Sequence, residues 1–172
     1  MTNAGIERLE RTYRAPLLDF CQRYLGDEHE AEEVVQEILL AASREVAELR
    51  HARAWLYRAA RNRCVSRMRE RYRRDAGSMP PASQVKDSVR RPISHLVSQE
   101  RRSRLAEAVD RLPPRYRQVV EMRYLEGMHR AEIAAVLDVD VSTVKWRLSE
   151  ALKRLRQLSS LGDSSIAGRG SA

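Results

Sequence analysis

The residues best suited to chemistry with a polyanion lie in Glu126-Gly-Met-His-Arg-Ala-Glu-Ile-Ala-Ala-Val-Leu-Asp-Val-Asp-Val-Ser-Thr-Val-Lys-Trp-Arg-Leu. Gly127 ends one helix, and a short helix follows with Ile133, Ala134 and Leu137 on its apolar face. A turn at Asp138-Val139 leads to Asp140, a good N-cap for a second helix. The spacing of Val144, Leu148, Ala151, Leu152 and Leu155 predicts that this second helix buries them. Ser142, Thr143, Lys145, Trp146 and Arg147 then lie near the other side, in the first turns, the part of such a helix that enters a major groove. Arg147 and Lys145 can donate to guanine or phosphate, and Ser142 and Thr143 suit phosphate or base edges. Trp146 could meet a thymine methyl or sugar, and packing against its own domain is an equally good reading. An ordinary hairpin with a solvated basic face would also show this polar side. The coincidence of turn, cap, small crossing residue Ala134 and polar face favours DNA.

A second concentration of charge lies in the first half. Asp27, Glu28, Glu30, Glu32, Glu33, Glu37, Glu45 and Glu48 are opposed only by Arg44. The next helix reverses the sign with Arg50, Arg53, Arg58, Arg61, Arg63, Arg67, Arg69, Arg71, Arg73 and Arg74, against Glu70 alone. Two helices of opposite sign can simply pair, but exposed pairs contribute only about 0–1 kcal/mol each. So long an arginine run is better explained by two surfaces, one for a basic protein and one for nucleic acid.

Other chemistries find little support. Cys21 and Cys64 are isolated thiols with no metal-ligand spacing to the four histidines, so neither a disulfide scaffold nor a zinc site is expected. There is no GxGxxG or GxxxxGK[ST], and no nucleophile with its base. The expectation is no enzyme, no catalytic residue, no cofactor and no metal. The longest apolar run, Ile38 to Ala42, is far short of the ~20 residues that span a bilayer, and Met1 begins no signal sequence. A cytoplasmic protein without membrane insertion is expected. In 172 residues, 32 Lys+Arg against 24 Asp+Glu give a net charge of +8, which points to a polyanionic partner.

The elements that must position these residues are all helical. Leu9, Tyr13, Leu17 and Phe20, then Val34, Ile38 and Leu39, recur at three- and four-residue spacing, with a break at Gly26-Asp27. Pro16 predicts a kink or a later start for the first helix. A third helix from about Ala52 to Arg74 should bury Leu56, Ala59, Ala60, Cys64, Val65 and Met68. The fold class is all-α: a domain over 1–74, a flexible linker over 75–97 with its Pro80-Pro81 pair, a helix-turn-helix domain over 98–158, and a disordered tail over 159–172. Pro113-Pro114 marks a helix start in the second domain.

On these residues the chain resembles bacterial sigma factors of the extracytoplasmic-function (ECF) subfamily. The resemblance is carried by Glu30-Ala-Glu-Glu-Val-Val-Gln-Glu-Ile and Ala54-Trp-Leu-Tyr-Arg-Ala-Ala-Arg-Asn in the first block. Leu112-Pro-Pro-Arg-Tyr-Arg-Gln-Val-Val, Arg123-Tyr-Leu-Glu-Gly, Glu132-Ile-Ala and Thr143-Val-Lys-Trp-Arg-Leu carry it in the second. It implies a dissociable subunit of RNA polymerase that directs promoter recognition and initiation, with core RNA polymerase and promoter DNA as partners and an anti-sigma factor as a candidate third. It further implies that Glu33, Gln36 and Glu37 bind polymerase. Arg58, Arg61, Asn62 and Arg67, with the loop at about Glu48 to Arg53, would melt the −10 element and hold an extruded base. Ser142 to Arg147 would read the −35 element. The sequence departs from the family pattern at Asp138 in place of a common turn glycine, at Asp140 and His129 in place of common serine caps, and at Ser66, Ala42 and Ala52. The alternative is a free-standing helix-turn-helix regulator that binds duplex DNA without polymerase.

Overall fold

The computed structural model describes residues 3–45, 52–76 and 100–167, with side chains over 7–43, 52–74 and 105–158. The loop at 48–51 and the linker from 77 to 97 lie outside the described residues, so the expectations placed there, Arg50 among them, are not addressed. The described residues form seven helices: α1 (Asn3–Leu25), α2 (Glu28–Glu45), α3 (Ala52–Ala76), α4 (Glu100–Asp110), α5 (Pro114–Tyr124), α6 (Arg130–Leu137) and α7 (Val141–Ala167). No strand occurs among the described residues. Among the described residues no helix is long and apolar enough to cross a membrane.

Helices α1, α2 and α3 pack on one another. The break between the first two falls at Gly26, which takes φ 72° and donates its N–H to Gln22 O at 2.9 Å. A left-handed residue after a helix suits glycine, which has no Cβ to clash. Asp27 then caps α2, its Oδ1 accepting from Glu30 N at 2.9 Å. Pro16 sits inside α1, which begins at Asn3 rather than after the proline. An interior proline costs a helix one donor and a ring clash, about 3 kcal/mol, and the burial of Leu17, Phe20, Cys21, Tyr24 and Leu25 just beyond it offsets that cost. Phe20 centres this core, 5.0 Å from the Tyr24 ring and edge-on to Tyr57 at 5.1 Å. On α3, Leu56, Ala60, Cys64, Val65 and Met68 are buried as the spacing predicts, and Ala59 is half-buried.

In the second half α4 and α5 pack on α7 and on each other. Pro113 and Pro114 open α5 as expected, with Pro113 O accepting from Tyr116 N at 2.9 Å. Its end is turned by Gly127 at φ 63°, and nothing lies within 4 Å of where a Cβ would stand, so backbone conformation rather than space calls for glycine. Val144, Leu148, Ala151 and Leu155 form the buried seam of α7. Leu152, expected in that seam, is 36% exposed: it lies one residue past Ala151, to the side of the stripe. Helix α7 also continues beyond Leu158 to Ala167, through the segment expected to be a disordered tail. Gly162 costs only about 1 kcal/mol in a helix already nucleated, less than a stop requires.

By contacts the chain divides into Met1–Arg91 with Ala131–Val139, and Pro92–Arg130 with Asp140–Ala172. This differs from the boundaries expected from sequence in taking most of α6 into the first unit.

Candidate nucleic-acid interface

The acidic and basic helices of the first unit face each other along an ion-pair ladder. Glu30, Glu33 and Glu37 fall on one side of α2, and Arg63, Arg67 and Arg71 follow at four-residue spacing on α3. Arg71 pairs with Glu30. Arg67 reaches Glu33 at 3.3 Å and Glu37 at 2.9 Å, and Arg63 reaches Glu37 at 3.4 Å. The order of pairs makes the two helices antiparallel. The Arg67 guanidinium is held above its ordinary pKa, first by its hydrogen bond to Glu37 and then by the charges of Glu37, Glu33 and Glu70, with desolvation opposing. Charge segregation in this block is therefore partly internal pairing of the two helices.

That pairing sorts the expected site residues. Glu33, Glu37 and Arg67 are half-buried in the ladder, whereas Gln36 is exposed. On the outward side of α2 it lies between Glu32 and Leu40, four residues away on either side, and Leu40 is 62% exposed. Arg58 and Asn62 are exposed on α3. Arg61, grouped with them from sequence, is 7% exposed, and its Nε has no hydrogen-bond partner. Its long aliphatic stem permits such burial, but the guanidinium does not stand on the open face of α3. Asn62 helps line a groove of about 290 Å³ with Ile38, Ala41, Trp55 and Ala59, and Glu37 and Arg63 complete its wall. Trp55 was not named as a site residue from the sequence, where it stood only within the Ala54-Trp-Leu-Tyr-Arg-Ala-Ala-Arg-Asn motif.

The turn before α7 has the geometry of a tight corner. Asp138 adopts φ 58°, and Val139 N donates to Ala134 O at 3.1 Å. The common family glycine is thus replaced by an aspartate in the left-handed conformation, which Asp tolerates better than most side chains. Asp140 O accepts from Val144 N at 3.2 Å, which starts α7 where the cap was expected. Ser142, Lys145 and Trp146 are exposed, and Thr143 and Arg147 are half-buried on the flanks. Trp146 takes the packing reading while keeping an open face. Its ring lies 6.0 Å from Tyr116 within its own domain, and the residue remains 56% exposed. Tyr116, 1% exposed, carries the guanidinium of Arg115 at 4.8 Å from its ring centre and that of Arg154 at 4.5 Å.

Residues 9–74 match the family Sigma-70 region 2, and residues 102–155 match Sigma-70, region 4. The ECF RNA polymerase sigma factor SigW of Bacillus subtilis is 31% identical over 157 residues, spanning 84% of this chain and 83% of its own length. SigL of Mycobacterium tuberculosis, also an ECF RNA polymerase sigma factor, is 34% identical over 153 residues, with 84% and 82% covered. The chain belongs to the ECF sigma factors. It is thereby a subunit of RNA polymerase that directs promoter recognition in transcription initiation, with core polymerase and promoter DNA as its partners. The reading as a free-standing regulator gains no support from these relatives. Two solved structures share the fold of this sigma factor. RpoE of Bartonella quintana, in complex with the anti-sigma factor NepR, aligns at TM-score 0.63 and 20% identity over 91% of this chain and 97% of its own. CnrH, in complex with the cytosolic domain of CnrY, aligns at 0.59 and 22% over 95% and 90%.

Proposed function

We propose that this sigma factor acts in the cytoplasm, performs no covalent chemistry itself, and divides its contacts among three helix faces. Polymerase meets the outward side of α2 at Gln36, flanked by Glu32 and Leu40, while the ladder holds Glu33 and Glu37 behind that face. The −10 element meets α3, where Arg58 grips the backbone and an extruded base stacks on Trp55 within the groove beside Asn62. The −35 element meets α7, with Ser142, Lys145 and Trp146 in the groove and Thr143 and Arg147 on its flanks. An anti-sigma factor is a further proposed partner, since RpoE is bound by one in its structure.

The exposed polar start of α7 above its buried seam is the observation that carries this division most directly. The test is transcription by core polymerase supplied with the full chain on a library of candidate promoters. Promoter-dependent transcripts are expected only when both are present. Transcription unchanged by the chain on every template would overturn the proposal.

A further inference from the structure

Among the described side chains of helix α7, those up to residue 158, one is acidic, Glu150. On a helix of 3.6 residues per turn, Ser142, Trp146, Ser149 and Lys153 ride one exposed ridge, and Glu150 borders it one turn beyond Trp146. A carboxylate on a face that meets phosphates is repelled unless it is neutralised or has a donor to read. Here it is neutralised and fixed. Arg154 Nε donates to Glu150 Oε1 at 3.0 Å, and the same guanidinium lies over the buried Tyr116 ring at 4.5 Å. Tyr116 in turn contacts Trp146. The four side chains form a continuous chain of contacts along α5 and α7, with Glu150 27% exposed at its outer end.

We infer that Glu150 is a base-reading residue of the −35 interface, accepting a hydrogen bond from the exocyclic amine of a cytosine, and that Arg154 is its positioning residue. The inference rests on the proposal that α7 enters the major groove. Among bases in that groove, cytosine N4 is the donor matched to a carboxylate. A carboxylate offers about four acceptor sites, of which Arg154 Nε uses one. The stacked, ion-paired Arg154 keeps the Glu150 side chain from folding away. It also lowers the cost of bringing a negative charge to DNA.

The test is selection on duplexes with a randomised −35 segment, using holoenzyme assembled from core polymerase and the full chain. The wild-type chain should enrich cytosine at one position of the segment. Glu150→Ala should lower that preference by about tenfold while preferences at other positions persist, which also reports correct folding. Glu150→Gln should move the preference toward adenine, the base that glutamine pairs with. Arg154→Ala should blunt the cytosine preference without changing its identity, and Arg154→Lys should restore part of it. If Glu150→Ala leaves every preference intact while Lys145→Ala alters one, Glu150 is only a surface ion pair and the inference fails alone. If the wild-type chain shows no preference anywhere in the segment, the −35 reading of α7 fails with it.

Discussion

Asp138 shows how a single residue can carry both the turn and its cost. At φ 58° an ordinary side chain is strained by roughly 1–2 kcal/mol, and aspartate eases this with a short polar side chain that can bond locally. Replacing it with valine, whose branched Cβ fits that region worst, should destabilise the domain by about 1–2 kcal/mol. Glycine should be neutral or stabilising by up to about 1 kcal/mol, because relief of strain outweighs the extra freedom of the unfolded chain. Thermal melts of the two variants check the order, and a valine variant as stable as the glycine one would refute the strain account. The corner at 138–139 was legible in the sequence because apolar spacing and a cap bracket it. The burial of Arg61 was not, since arginine reads as exposed whenever its stem is ignored. Trp146 was left open between two readings because a single helix cannot reveal the Tyr116 ring supplied by another.

Among the elements, the α2–α3 pair changes what charge patterning means in this chain. Helical spacing identified both helices and most of their buried faces, from Val34 and Ile38 to Leu56 and Met68. Spacing alone does not fix how two helices are rotated against each other, so whether Glu37 faces solvent or Arg67 was undetermined. The ladder also alters how polymerase binding should be probed. Glu37→Arg would place three cations together with Arg63 and Arg67, disturbing α2–α3 packing as well as any contact outside. Leu40→Asp acts on the outward side of α2 and touches none of the pairs. It should weaken holoenzyme assembly by about tenfold or more with little change in melting temperature. Combining Glu37→Arg with Arg63→Glu, which restores that pair without breaking the Arg67–Glu33 rung, should recover part of the stability lost by the first change, about 1 kcal/mol at most for a pair so open to solvent. Competition for core polymerase and thermal melts measure these effects, and unchanged assembly in Leu40→Asp would remove that face from the interface.

For the whole molecule, two descriptions of the second half disagree. Contacts assign Ala131–Val139 to the first unit, whereas the region 4 match runs unbroken from 102 to 155. The continuous match and the tight turn joining α6 to α7 favour α6 as part of the second domain. Two chains cut within 75–97 should therefore each unfold cooperatively, and the C-terminal one should retain the helicity of α4 to α7. Circular dichroism of the separate fragments checks this, and a C-terminal fragment lacking a cooperative transition would show that α6 needs the first half. The two-domain plan was readable from the proline-rich interruption between helical blocks. The extent of α7 was not, because small and polar residues weakly oppose helix without forbidding it.

The antiparallel ladder also constrains how such chains can be recombined. Glu30, Glu33 and Glu37 match Arg63, Arg67 and Arg71 rung by rung, so α2 and α3 form a keyed pair. A chimera that imports α2 alone from a relative must bring carboxylates in the same register or leave arginines facing one another. The ridge of α7 proposed to read the −35 element takes no part in these rungs. On the proposed division, promoter preference should be graftable between relatives through α7 alone, while α2 and α3 would have to travel together.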